Sequence, residues 1–272
     1  MTATGGCRLT LLLLLLGFAW PAGSAGAAAT PVITIIIDDM GNHGGWGDAA
    51  LAVPGPVTYA FLPHTPHANR LALKAHAAGK EVMLHLPMQS HDGNALGPGA
   101  LTLHMTETAF KRTLEENLKA VPYVKGINNH MGSLLTRHPG AMAWLMQGIR
   151  SRGDLFFIDS RTTLATVARQ LAVEYQVPSA SRDVFLDNSR DPAAISRQFD
   201  QLLKRARRQG YAIGIGHPYP ETSQVLAQRL ADMEALGVRL IPASEMINYQ
   251  RSRTLWHASS SPSPTVAKSL KQ

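Results

Sequence analysis

Asp38-Asp39, His85, Asn128-Asn129-His130, Asp159-Ser160, Asp187-Asn188 and His217 each close a short apolar run of this chain. Carboxylates and imidazoles together suit a borderline-soft divalent metal such as zinc, which takes three protein ligands in catalytic sites and leaves a position for water. Such an ion can lower the pKa of bound water to about 7. One aspartate of the Asp38-Asp39 pair would then bind the metal and its neighbour would serve as base. Successive strand residues point to opposite faces, so both can reach one pocket only through a bend, which Met40-Gly41 would permit. His217 sits between Gly216 and Pro218. If a carboxylate such as Asp187 or Asp159 orients it, its pKa rises and it can donate a proton to a leaving amine.

Each of these residues has an ordinary structural explanation when taken alone. A strand-end histidine can be merely hydrogen-bonded, and Asp38-Asp39 or Asp187-Asn188 can cap the segment that follows. Capping does not explain acid, amide and imidazole groups at the ends of six runs. Their convergence needs a fold that brings those ends together.

Four glycines supply the pattern that sets the fold class. Gly79, Gly153, Gly210 and Gly237 each end a helical stretch just before an apolar run, as expected of residues that take the left-handed conformation at a helix C-terminus. Strands are expected at Val32–Ile37, Val57–Leu62, Glu81–Leu86, Val124–Asn128, Leu155–Asp159, Val184–Asp187, Ala212–Gly216 and Val238–Ile241. Several lack polar alternation, as when both faces are covered. The helices between them are amphipathic: Ile195, Phe199, Leu202, Leu203 and Ala206 form one stripe after Asp191-Pro192. Seven or eight β-then-α units predict a parallel α/β sheet, accommodated better by a closed or nearly closed (β/α) barrel than by an open doubly wound sheet. In such sheets chemistry gathers at the carboxyl ends of the strands. The Gln89–Thr106 stretch is a long loop without clear period, and loops of that length are usually functional or mobile.

The first 29 residues read as a secretory signal: Arg8 precedes an apolar run from Leu9 to Trp20, and Ala25-Gly26-Ala27 offers a cleavage site. That run is shorter than the ~20 residues that span a bilayer, so no stable membrane span is expected after cleavage. Cys7, the one cysteine of the chain, would leave with the signal, and stability must then come from core size rather than disulfides. Residues 30–250 are long enough for a single domain. Residues 251–272 turn Ser/Pro-containing and basic and read as a disordered tail. The net charge of +7 is partly local, with Lys204, Arg205, Arg207 and Arg208 on one helix. Basic and aromatic residues are not interleaved, which argues against nucleic acid as a partner.

Several segments resemble the divergent polysaccharide-deacetylase (YibQ) family, relatives of the NodB-type carbohydrate esterases: ITIIIDDMG (Ile33–Gly41), MLHLPM (Met83–Met88), GPGAL (Gly97–Leu101), INNHMGS (Ile127–Ser133), FFIDS (Phe156–Ser160) and GIGHPYP (Gly214–Pro220). The resemblance runs from about Val32 to Asn248. It implies a NodB-like (β/α) barrel, a periplasmic or extracellular location, and removal of N-acetyl groups from an envelope polysaccharide or peptidoglycan-type glycan. It also implies that Asp38 is the base and Asp39 a metal ligand, with two imidazoles completing the site. NodB-type enzymes usually draw both imidazoles from one H-x-x-x-H segment, whereas the residue four after His130 is Leu134, so His85 becomes the expected partner of His130. The R-x-P-Y motif is also absent, and Arg161 is the candidate substitute. The leading expectation is a zinc-type amide hydrolase with Asp38, His217, Asp187 and Asp159 as its catalytic set. The alternative is a non-catalytic glycan-binding or envelope-assembly factor that kept the barrel.

Overall fold

A computed structural model describes residues 1–2 and 30–260 of the 272-residue chain, with side chains through Arg253. The expected signal segment and the end of the expected tail lie outside the described residues. The described residues form nine strands: β1 (Val32–Met40), β2 (Thr58–Phe61), β3 (Glu81–Met88), β4 (Val124–Met131), β5 (Phe156–Asp159), β6 (Ser179–Ser181), β7 (Val184–Phe185), β8 (Tyr211–Gly216) and β9 (Arg239–Leu240). Eight α-helices accompany them among the described residues: α1 (Gly44–Leu51), α2 (Ala68–Ala77), α3 (Glu107–Ala120), α4 (Pro139–Arg152), α5 (Ala168–Glu174), α6 (Pro192–Gln209), α7 (Pro220–Leu230) and α8 (Ala243–Ser260). No described helix is long and apolar enough to cross a membrane.

The strands pair in the order β6-β5-β4-β3-β2-β1-β8-β7, every pair parallel, with the short β9 added beside the start of β1. The sheet curls into a half-barrel whose two edges, β6 and β7, do not pair with each other. β6 was not expected from sequence, because Ser179-Ala180-Ser181 has no apolar signature.

Alternation sorts each strand into two buried faces. Ile33, Ile35 and Ile37 of β1 join Leu84, Ile127 and Phe157 in an outer core packed beneath the helices. Val32 and Ile36 join Met83, Ile158, Ile213 and Ile215 in an inner core. Burial on both faces is why the strands read as continuous apolar runs. At the amino-terminal mouth the inner core is closed by Ala243, Met246 and Ile247 of α8, fixed where the Ala243 N–H donates to Thr58 Oγ1 at 3.1 Å.

Local signals set the helix ends. Asp191 caps α6 by accepting from the N–H groups of Ala193 and Ala194 at 3.3 and 2.9 Å, with Pro192 in the first turn. Gly210 ends the same helix at φ 90°. The tail departs from expectation: α8 carries the chain past Gln250 as helix to Ser260. No proline interrupts that segment before Pro262.

Candidate metal centre

The alternation that sorts the core also decides which polar side chains meet. Continuing the inner parity past Ile36, Met83 and Ile215 gives Asp38, His85 and His217, and the strand-end residues Asn128, His130 and Asp187 share that face. Asp159 follows Phe157, an outer-core residue, and so leaves on the other face. Asp39 has the wrong parity and reaches the inner face only through a bulge. Ile37 pairs with Tyr59 and Met40 with Phe61, so three steps of β1 oppose two of β2. Asp39 takes up the difference at φ 54°, a left-handed value that aspartate tolerates better than most residues. Gly41 completes the turn at φ 120°, where an added Cβ would lie 2.2 Å from Thr65 Oγ1.

Three ligating atoms then converge. Asp39 Oδ1 lies 2.9 Å from His130 Nδ1 and 3.2 Å from His85 Nε2, and the two imidazole nitrogens are 3.1 Å apart. Asp39 Oδ1 is buried and makes no hydrogen bond of acceptable geometry. A proton can bridge one edge of this triangle, but three mutually facing donor atoms are satisfied together by a cation. The edges also match: a tetrahedron with bonds of about 2.0 Å has edges of about 3.3 Å. One carboxylate and two imidazoles are the donor set zinc takes in catalytic sites, so these residues fit the ion. Burial works against the charged form of Asp39, but the two imidazoles outweigh it and hold the carboxyl well below its usual range.

The residues behind the triangle fix it. His85 and Asn128 are register partners on β3 and β4, and His85 Nδ1 donates to Asn128 Oδ1 at 2.8 Å. That bond leaves the Nε2 lone pair facing Asp39, the tautomer a metal needs. Asn128 Nδ2 donates in turn to Asp38 Oδ1 at 2.7 Å and to Ser160 Oγ at 3.3 Å. Asp38 is 3% exposed, with Oδ2 3.7 Å from His85 Nδ1. Burial raises its pKa against the charges of His85 and His217 and the Asn128 hydrogen bond.

On the other side stands His217, whose Nε2 lies 3.8 Å from Asp39 Oδ2. Asp187, not Asp159, orients it: Oδ1 meets His217 Nδ1 at 2.9 Å and Oδ2 accepts the His217 backbone N–H at 2.6 Å. Thr222 Oγ1 also donates to Asp187 Oδ2, at 2.7 Å. Burial opposes protonation of His217, but Asp187, with Asp39 and Asp38 behind it, raises the pKa to about 9.

Asp159 is placed elsewhere. It accepts the Arg161 N–H at 2.8 Å and the Thr166 hydroxyl at 3.1 Å, organising the turn after β5. Arg161 shares with Asp159 a cleft of about 420 Å³ that also takes in Ser181, Arg182 and Asp183, between the two sheet edges and away from the triangle. The arginine nearer the centre is Arg182, which sequence reasoning missed because SASRDVF carries no periodic or motif signal. Its Nε donates to the Ser160 carbonyl at 2.6 Å, and its guanidinium lies over Phe185, whose ring meets His217 edge-on at 5.5 Å.

The family model for divergent polysaccharide deacetylases matches residues 35–247. This chain belongs to that family. The chain is 38% identical to YibQ of Escherichia coli (strain K12) over 226 residues, 82% of this chain and 70% of that one. Its fold is similar to that of protein ATU2773 from Agrobacterium tumefaciens C58, with a TM-score of 0.77 and 22% identity over 81% of this chain and 90% of that one. It is also similar to BA3943 of Bacillus anthracis, described as a CE4 family pseudoenzyme, with a TM-score of 0.50 and 12% identity over 80% of this chain and 66% of that one. These likenesses show that the chain has the NodB-like α/β half-barrel fold.

Proposed function

We propose that this chain is an exported, metal-dependent hydrolase that removes N-acetyl groups from an envelope polysaccharide. The observation that carries the reading is the closed triangle of Asp39 Oδ1, His85 Nε2 and His130 Nδ1, with His217 Nε2 facing the second oxygen of Asp39 at 3.8 Å. A divalent ion such as zinc, held by Asp39, His85 and His130, would supply Lewis acidity toward the acyl carbonyl and a water acidified to about pKa 7.

The chain's own residues supply the proton transfers. Asp38 keeps Oδ2 as proton acceptor while Asn128 holds Oδ1 at 2.7 Å. His217, with a pKa of about 9, is protonated at neutral pH. Its Nδ1–H is committed to Asp187, which leaves Nε2–H for the departing amine. Water adds to the carbonyl carbon, the C–N bond breaks, the amine leaves with the His217 proton, and acetate is the second product. Acetate release from N-acetylglucosamine oligomers or peptidoglycan by zinc-loaded protein, with Asp38→Asn as control, tests this. Absence of release across such substrates would count against it.

One observation favours a second reading. Asp38 is 3% exposed and tied into the His85–Asn128 pair, where it serves to hold the triangle as readily as to take a proton. A glycan-binding protein that keeps the metal would retain glycan pull-down after Asp38→Asn and His217→Ala, without acetate release.

A further inference from the structure

Beside the triangle lies a cleft of about 140 Å³ that reaches Asp39 and His130 at one end. Its floor is Leu62, Pro63 and Pro87, all buried at the carboxyl ends of β2 and β3. Its roof is Leu96 and Pro98, from the long loop after β3. We infer that this cleft is an acyl pocket with room beyond an acetyl group, with Leu96 setting its depth, an inference that rests on the metal-dependent amide-hydrolase reading and extends its substrate class to longer N-acyl groups.

Position and size carry the argument. An acyl carbonyl bound at the triangle would point its chain away from Asp39 and His130, and this cleft adjoins both. Besides Asp39 and His130, its lining is mostly apolar, with Asn42 and Thr65 as its other polar residues. A cavity of about 150 Å³ holds benzene, about six carbon atoms, whereas an acetyl group places one methyl beyond its carbonyl. The remaining space fits a chain longer by two or more methylenes.

The loop is built to hold the roof at its ends and leave the centre adjustable. The His91 N–H donates to Ser133 Oγ at 2.9 Å. At the other end Asn117 Nδ2 donates to the Gly99 carbonyl at 2.7 Å, and the Leu101 N–H donates to the Pro87 carbonyl at 2.9 Å. Among the described residues no hydrogen bond ties 92–98 to the body of the protein. Leu96 lines the cleft from this stretch, so a change there is expected to alter pocket depth first.

Calorimetric binding of acetohydroxamate and butanohydroxamate to zinc-loaded, full-length protein tests this without an activity readout. Each buried methylene is worth about fourfold in affinity, so butanohydroxamate, longer by two, is expected to bind about fifteenfold tighter. In Leu96→Trp, which fills the roof, the ratio is expected to fall toward one, and in Leu96→Ala to persist for longer chains. A ratio near one in the wild type, or a ratio unchanged in Leu96→Trp, overturns the pocket assignment while leaving the metal centre standing. Failure of both hydroxamates to bind sinks the metal-dependent reading and this inference with it.

Discussion

His217 and Asp187 are joined twice, through ring Nδ1 at 2.9 Å and through the His217 backbone N–H at 2.6 Å. The backbone bond and the Thr222 hydroxyl hold Oδ2, which leaves Oδ1 placed to orient the ring and to favour its charged form. Gly216 allows the close approach, since a Cβ there would lie 3.2 Å from Asp187 Oδ2.

The pH dependence follows from that pair. His217 has its pKa raised from 6.5 to about 9. As a proton donor it is competent below that value, so the hydrolytic rate is expected to fall as pH rises through about 9. Stability runs the same way: the contribution of the charged pair is fully present below 6.5 and lost as pH rises through about 9. In Asp187→Asn the alkaline limb of kcat/KM should move toward 6.5, and His217→Ala should lower kcat by about 10²–10⁴-fold. NMR titration of the His217 ring in both backgrounds checks the assignment.

Metal stoichiometry is the plainest expectation. Elemental analysis should find one divalent ion per chain in the parent and none in His85→Ala or His130→Ala. Chelation should lower Tm: an ion at 100 times its Kd stabilises by about 2.7 kcal/mol, or roughly 5–10 °C for a domain of this size. An unchanged Tm on chelation would contradict the site.

Asn128 binds nothing from outside the protein, yet its loss should be felt at the metal. Asn128→Leu strands Asp38 Oδ1 and frees His85 Nδ1, both buried. A weakening of ion affinity by about 10–100-fold is expected, with a stability loss of about 1–3 kcal/mol from the groups left unpaired. Competition against a chromophoric chelator reads the first and urea unfolding the second.

Gly126 lies on β4 two residues before Asn128, and an added Cβ would meet the Phe156 ring at 2.3 Å. Phe156 is 5% exposed and has little room to turn away. Gly126→Ala should therefore cost about 1–3 kcal/mol by overpacking and displace β4. Reduced ion affinity with all ligands intact would be the accompanying signature.

The strand ends are legible because parallel sheets put them on one rim, whereas the choice of Asp39, His85 and His130 as the metal set comes from the family resemblance. The choice between Asp187 and Asp159 as partner of His217 could not be made, since it depends on which face each strand turns inward. Phe157 and Phe185 are both apolar and do not announce that their followers diverge. The bulge at Asp39 was expected as a bend after it, at Met40-Gly41, and half of it lies in Asp39 itself. In sequence Asn128 is one polar residue among several, because a bridge between His85 and Asp38 leaves no trace in spacing. Helix α8 beyond Gln250 is not legible, because a polar, basic segment looks alike whether it is helical or unstructured.

The unpaired sheet edges have a further consequence. β6 and β7 are three and two residues long, so an incoming strand would find almost no free backbone to pair with. Brevity at both margins lets a parallel sheet stay unclosed without becoming a template for fibrous self-association.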